Sequence, residues 1–114
     1  MGKGSQNMVQ PIPQNEYDLR RAARHRADYS VLVESKSQGD RRVHIINISA
    51  HGFMTDDNEI FERGDRIELR LPEVGRIEAH LIWTVDKRAG FQFERVIRVP
   101  EFLGMLDKVS PKLR

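Results

Sequence analysis

From Tyr29 onward the chain alternates apolar and polar positions with period two, and most segments that do so are short. Val31 and Val33 are separated by Leu32 and flanked by Ser30 and Glu34, which predicts a first strand. Ser37, Gln38, Gly39 and Asp40 form a turn signal. A second strand runs from Arg41 to Ile48, with Val43, Ile45 and Asn47 predicted on one face and His44, Ile46 and Ile48 on the other. Ser49 to Gly52 is a turn, and Phe53 and Met54 open a short third strand. Loops follow at Asp56 to Asn58 and at Gly64 and Asp65. Ile67, Leu69 and Leu71 alternate with Arg66, Glu68 and Arg70, and Pro72 ends that strand. Ile77, Ala79, Leu81 and Trp83 share one face of the next, so Trp83 is expected in the core. After a turn at Asp86 to Arg88, Phe91 and Phe93 face the same way.

The period then changes. Pro100 suits the first turn of a helix. Phe102, Leu103, Leu106 and Val109 fall on one helical face, which predicts a short amphipathic helix over 100–109, stopped by Pro111. About six short strands followed by one helix indicate an all-β fold, a small antiparallel barrel or sandwich with the helix over one open end.

Residues 1–17 show no periodicity, and Pro11, Pro13 and several Gly and Gln favour a disordered tail. Residues 18–28, DLRRAARHRAD, place Arg20, Arg21, Arg24 and Arg26 within a few positions, with almost no apolar residue between them. Such a segment predicts a surface arm rather than a core element. The expected division is a tail over 1–17 and one domain over 18–110, with its arm at 18–28.

Length and composition agree with that division. The chain has 114 residues, enough for one domain with a modest core. Its 19 basic and 17 acidic residues nearly cancel, so local clusters say more than net charge. There is no cysteine, which excludes disulfides, thiolate metal sites and cysteine nucleophiles. No run approaches the roughly 18 apolar residues of a membrane span. A cytoplasmic protein without membrane insertion is the expectation. The four histidines lack metal-ligand spacing, and Ser49, His51 and Asp56 in one short stretch do not make a catalytic triad. Neither an enzyme nor a cofactor is expected.

Two clusters remain that could bind something. A guanidinium can fork onto phosphate oxygens or a guanine edge and stack on a base, so the four arginines could wrap a nucleotide. Asn47, Ser49 and Gly52 form an Asn-x-Ser-x-x-Gly turn at a strand end. The two side chains can meet a base edge, and Gly52 allows positive φ or close backbone approach. Taken singly, each is also an ordinary solvated linker or turn.

Their order changes the weighing. Arg20-x-x-x-Arg24, a strand, a turn, a strand ending in Asn47-x-Ser49-x-x-Gly52, and the pair Phe53 and Met54 resemble the PilZ domain family. The Trp83 strand, Gly90-Phe91-x-Phe93 and the terminal helix continue the resemblance, which covers about 18 to 109. Only Arg20 and Arg24 meet the strict spacing. Arg26 lies nearer the first strand, with Arg21 five residues before it, so the cluster counts for more than any one pair. The resemblance implies a six-stranded antiparallel β-barrel with a helix and a flexible N-terminal arm. It also implies cyclic di-GMP as ligand, bound by Arg20, Arg21, Arg24, Arg26, Asn47, Ser49 and Gly52. On this reading the arm orders when ligand binds, and the changed surface acts on a downstream protein partner. The rival readings are a small barrel gripping single-stranded nucleic acid, and an interaction module of the same fold without ligand. The first is weakened by the scarcity of aromatics beside the arginines, with Tyr29 nearby and Phe53 another if exposed.

Overall fold

Val31, Val33, Val43, Ile45, Ile67, Leu69, Leu71, Ile77, Ala79 and Leu81, the apolar members of the period-two runs, are all buried and form one core. The computed structural model describes residues 23–112. Its strands are β1 (His25–Ser35), β2 (Gly39–Ile48), β3 (Gly52–Thr55), β4 (Arg66–Leu71), β5 (Gly75–Val85) and β6 (Arg88–Phe93), followed by helix α1 (Val99–Val109). They close into an antiparallel barrel in the order β1, β2, β3, β6, β5, β4. The fold is therefore the six-stranded barrel that the sequence implied.

Tight turns join most of the neighbours. Gly39 adopts φ 75° at the start of β2, and Gly75 adopts φ 83° where the β4–β5 turn enters β5. Asp86 takes φ 56° between β5 and β6, a conformation that Asp tolerates better than bulkier residues. Two seams are not hairpins. Between β1 and β4, Val33 pairs with Leu69 and Glu34 with Glu68. Between β3 and β6, pairing runs from Gly52 and Gln92 to Thr55 and Ala89. At the latter seam Phe53 stacks on Phe91 with ring centroids 4.9 Å apart, and Phe93 packs against Phe53 at 5.4 Å.

Helix α1 buries Phe102, Met105, Leu106 and Val109. Leu103, expected on that face, is only partly buried, and Met105 takes the central place instead. The His25 ring lies 5.8 Å from that of Phe102, and Lys108 reaches Glu73 in the β4–β5 turn at 3.6 Å. The helix thus covers the barrel end at which β1 starts and β4 turns into β5.

Three expectations change. First, β1 begins at His25, not Tyr29, so the last four residues of the predicted arm are strand. Strand β2 extends to Ile48, which gives His25 and Arg26 backbone partners in Ile48 and Asn47, and Ala27 is small enough to be buried. Positions 18–22 of the arm, with Arg20 and Arg21, and the tail over 1–17 lie outside the described residues. Second, Ile48 faces the core with Val43 and Ile45, while Asn47 is half-buried. A register shift between Ile45 and Asn47 changes the phase of the strand. Third, Trp83 is only partly buried, because β5 also shifts register between Leu81 and Trp83.

Two stability predictions follow from the β3–β6 seam. A Cβ on Gly52 would overlap the carbonyl oxygen of Phe91, a backbone atom that no rotamer change can move. Gly52→Ala should therefore cost about 1–3 kcal/mol of folding stability, read from the urea midpoint. A variant as stable as the wild type would show that the seam can open without loss. Thr55 is 1% exposed, and its Oγ1 has no hydrogen-bond partner among the described residues. Thr55→Val keeps the shape and removes the stranded hydroxyl, so it should raise stability by about 1–2 kcal/mol. A lower midpoint would mean that the hydroxyl is satisfied.

Candidate functional site

Asn47 lies between two irregularities in the sheet. On one side Arg26 pairs with Asn47 and Tyr29 with Ile45, three steps along β1 against two along β2. On the other, Ile45 pairs with Thr55 and Asn47 with Met54, two steps against one. Extra residues of this kind bend a strand and re-aim its side chains. A third shift sets Trp83 opposite Gly90, while Leu81 stays opposite Phe91. The outcome is a transverse row in which Arg26, Asn47, Met54, Gly90 and Trp83 are successive partners on β1, β2, β3, β6 and β5. Five strands at about 4.8 Å spacing make the row about 19 Å long.

The middle of the row is apolar and shallow. Gly90 is buried, and a Cβ there would overlap Nε1 and Cε2 of the Trp83 indole, so the ring lies directly over the glycine. Met54 and Trp83 are both partly exposed. The Asn47 amide donates weakly to Met54 Sδ at 3.8 Å. At its other end Asn47 Oδ1 accepts a hydrogen bond from Arg24 Nη1 at 2.7 Å. The structure thus joins the arginine segment to the Asn-x-Ser-x-x-Gly motif, 23 residues apart in sequence, by a direct bond.

Ser49 and Gly52 occupy the same barrel end in a different way. Ser49 is 4% exposed, its Oγ accepts the His51 N–H at 3.1 Å, and its own N–H donates to the Gly52 carbonyl at 2.9 Å. Gly52 is buried at negative φ, and close approach of β6 is what demands a glycine. The turn is locked further where the Phe93 N–H meets the His51 carbonyl at 2.8 Å and the Ile97 N–H meets that of Ala50 at 3.0 Å. Of the seven residues singled out in the sequence, Arg24, Arg26 and Asn47 come together at the surface, and Ser49 and Gly52 build the turn beneath them. Arg20 and Arg21 lie outside the described residues.

Beside the row, His44 on β2 is held between two carboxylates. Its Nε2 lies 2.8 Å from Asp28 Oδ1 and its Nδ1 lies 3.0 Å from Asp56 Oδ1. Hydrogen bonds to Asp28 and then to Asp56 raise its pKa above the ordinary 6.5, against a smaller opposing effect of burial. Asp56 is thereby engaged with His44 rather than with His51. Phe53, which a nucleic-acid interface would need at the surface, is fully buried. A surface cavity of about 560 Å³ lies away from this row. Glu34, Asp65, Glu68 and Glu78 outnumber Lys36 and Arg66 in its lining, a poor setting for an anion.

The partial exposure of Trp83 and Met54 over a buried Gly90 was not legible in the sequence. The signal available was Gly90 itself, since a glycine inside a strand often marks close approach by another group. No individual curated protein matches the chain significantly. A sequence model of the PilZ domain matches residues 18–102, a stretch that runs from the arginine segment to the first turn of α1. That family is one of cyclic di-GMP-binding domains rather than catalysts. With the arginines and the Asn-x-Ser-x-x-Gly turn joined on a closed six-stranded barrel, and most of the length matched, this chain belongs to the PilZ domain family.

Proposed function

We propose that this protein is a receptor for cyclic di-GMP, bound on the outer face of the barrel along the row from Arg26 to Trp83. The observation that carries the reading is the hydrogen bond from Arg24 to Asn47, which sets the arginine segment against the one polar side chain of the row's interior. Arg24 and Arg26, with Arg20 and Arg21 preceding them in sequence, supply guanidiniums for phosphates and for guanine O6 and N7. The Asn47 amide offers a donor and an acceptor to a base edge. The partly exposed Trp83 and Met54 offer a flat apolar surface for a purine. Ser49 and Gly52 act beneath, by fixing where β2 ends and β3 begins.

Arg24 occupies Asn47 Oδ1. A ligand that uses Asn47 as an acceptor must share or displace that bond, so binding repositions Arg24. The segment carrying it leads directly into His25, whose ring packs on Phe102 of α1. Ligand occupancy and the helix surface are thus connected through two adjacent residues. This gives the receptor a means of altering a downstream protein partner.

Isothermal titration with cyclic di-GMP should give micromolar or tighter affinity, about −8 kcal/mol or better, with GMP far weaker. Trp83 is the only tryptophan, so its fluorescence should change on the same titration. Absence of heat and of a fluorescence change at about 100 μM ligand sinks the reading. Arg24→Ala should weaken binding by about 1.5–3 kcal/mol, the range for a lost charge-assisted hydrogen bond, with little effect on stability because Arg24 is exposed. Unchanged affinity would move the contact to the other arginines.

A further inference from the structure

We propose that Asp28, His44 and Asp56 form a proton-controlled clamp that sets the affinity of the cyclic di-GMP site, an inference that rests on the function proposed above. The clamp joins three elements. Asp28 lies in the irregular stretch of β1 between Arg26 and Tyr29, His44 is three residues before Asn47 on β2, and Asp56 follows Thr55 at the exit of β3. The two bonds are 2.8 Å and 3.0 Å, one to each ring nitrogen. The His44 backbone N–H adds a third link to the same loop, donating to Asp57 Oδ1 at 3.3 Å.

Two ionised carboxylates, one at each ring nitrogen, favour the imidazolium. A carboxylate only accepts, so both ring nitrogens must donate for both bonds to exist, and only the imidazolium has two N–H groups. A neutral ring turns one lone pair toward a carboxylate oxygen, and one side of the clamp is lost. His44 and Asp56 have 33% and 40% of their side-chain surface exposed and Asp28 67%, while Asp28 makes the shorter bond and has the larger effect on the ring. The groups that face the ring are Asp28 from β1 and Asp56 from the loop after β3, and Asp57 of the same loop meets the His44 backbone instead. Arg42, two residues before His44, is the neighbouring cation on β2 itself.

Deprotonation acts on the adjoining site in two ways with the same sign. It frees the β1 irregularity that aligns Arg26 with Asn47. It also changes the clamp of two carboxylates and one imidazolium from one net negative charge to two, next to a surface meant for a dianion. The separation along β2 is three residues, about 10 Å, comparable with the screening length in physiological salt. Affinity for a dianionic dinucleotide should therefore fall as pH rises. The raised pKa of His44 places that fall above the ordinary value of 6.5. The same sign governs folding. Stabilisation by the clamp is fully present below 6.5, the value for an unperturbed histidine, and is lost as pH rises through the higher folded value.

The test compares wild type with His44→Gln by titration calorimetry of cyclic di-GMP between about pH 6 and pH 8.5. Histidine-selective NMR of the free protein over the same range follows the His44 ring. His25 and His51 lie near the site as well, so the difference between the two proteins is the quantity read. The wild type should lose affinity by about threefold or more relative to the variant across this range. Asp56→Asn should lower the midpoint of the His44 ring signal. Parallel pH profiles for wild type and His44→Gln overturn the clamp while leaving the receptor reading intact. Absence of binding at every pH overturns both, and the ring titration then shows whether the contact with Asp56 exists apart from any ligand. A midpoint unmoved in Asp56→Asn overturns the clamp by itself.

Discussion

The seam between β3 and β6 is the constraint on which the rest of the barrel depends. Hairpins or short loops connect β1 to β2, β2 to β3, β4 to β5 and β5 to β6, and these contacts are local in sequence. Closure requires β3 to meet β6 and β1 to meet β4, and the second seam is short. At the first, Gly52 lets the two backbones come close, and Phe53, Phe91 and Phe93 fill the space behind them. Burying three phenyl rings is a large hydrophobic contribution, and their stacked and tilted contacts add to it. The same region holds the Ser49 to Gly52 turn, since the carbonyls of Ala50 and His51 bond to Ile97, just beyond β6, and to Phe93 at its end. Part of the motif that looks like a ligand signature is thus a condition of folding.

The site arises where the regular pairing fails. A regular strand alternates strictly, and regular partners would leave Ile48 outside and Trp83 inside. Shifts in β1, β2 and β5 reverse those positions and align Arg26, Asn47, Met54, Gly90 and Trp83 across the sheet. Each shift leaves a residue without an ordinary cross-strand partner, a local cost that natural sheets concentrate at functional places. The apolar middle of the row, with charged or amide groups toward β1, is a surface on which a flat base and an adjacent phosphate can be met together.

Charge on the outer face is arranged in closed groups away from the row. Arg76 on β5 bonds Glu68 at 2.8 Å and Glu34 at 3.0 Å, which ties three strands across the β1–β4 seam. Exposed pairs of this sort contribute little stability each. Their effect here is to set a cation against Glu34 and Glu68, which lie side by side on β1 and β4. The His44 group is similar in form but differs in kind, because its cation is a histidine, whose pKa the two carboxylates raise above the ordinary 6.5, and it lies beside Asn47.

The sequence by itself determined the strands, the helix and most of the core. Period-two runs such as Ile67, Leu69 and Leu71 have one face to bury, and no other element satisfies that pattern. The arginine segment and the Asn-x-Ser-x-x-Gly turn were also legible, through their order along the chain rather than through either one alone. Tertiary structure decided what a local pattern cannot contain. The strand status of His25 to Asp28 depends on partners in β2. The outward position of Trp83 depends on Gly90 in the neighbouring strand. The reason for a glycine at position 52 is a carbonyl 39 residues further along the chain, at Phe91. The setting of His44 between Asp28 and Asp56 joins residues 16 and 12 positions away. Each of these rests on register between strands, and register is fixed only when the barrel closes and every inward side chain must find room at once.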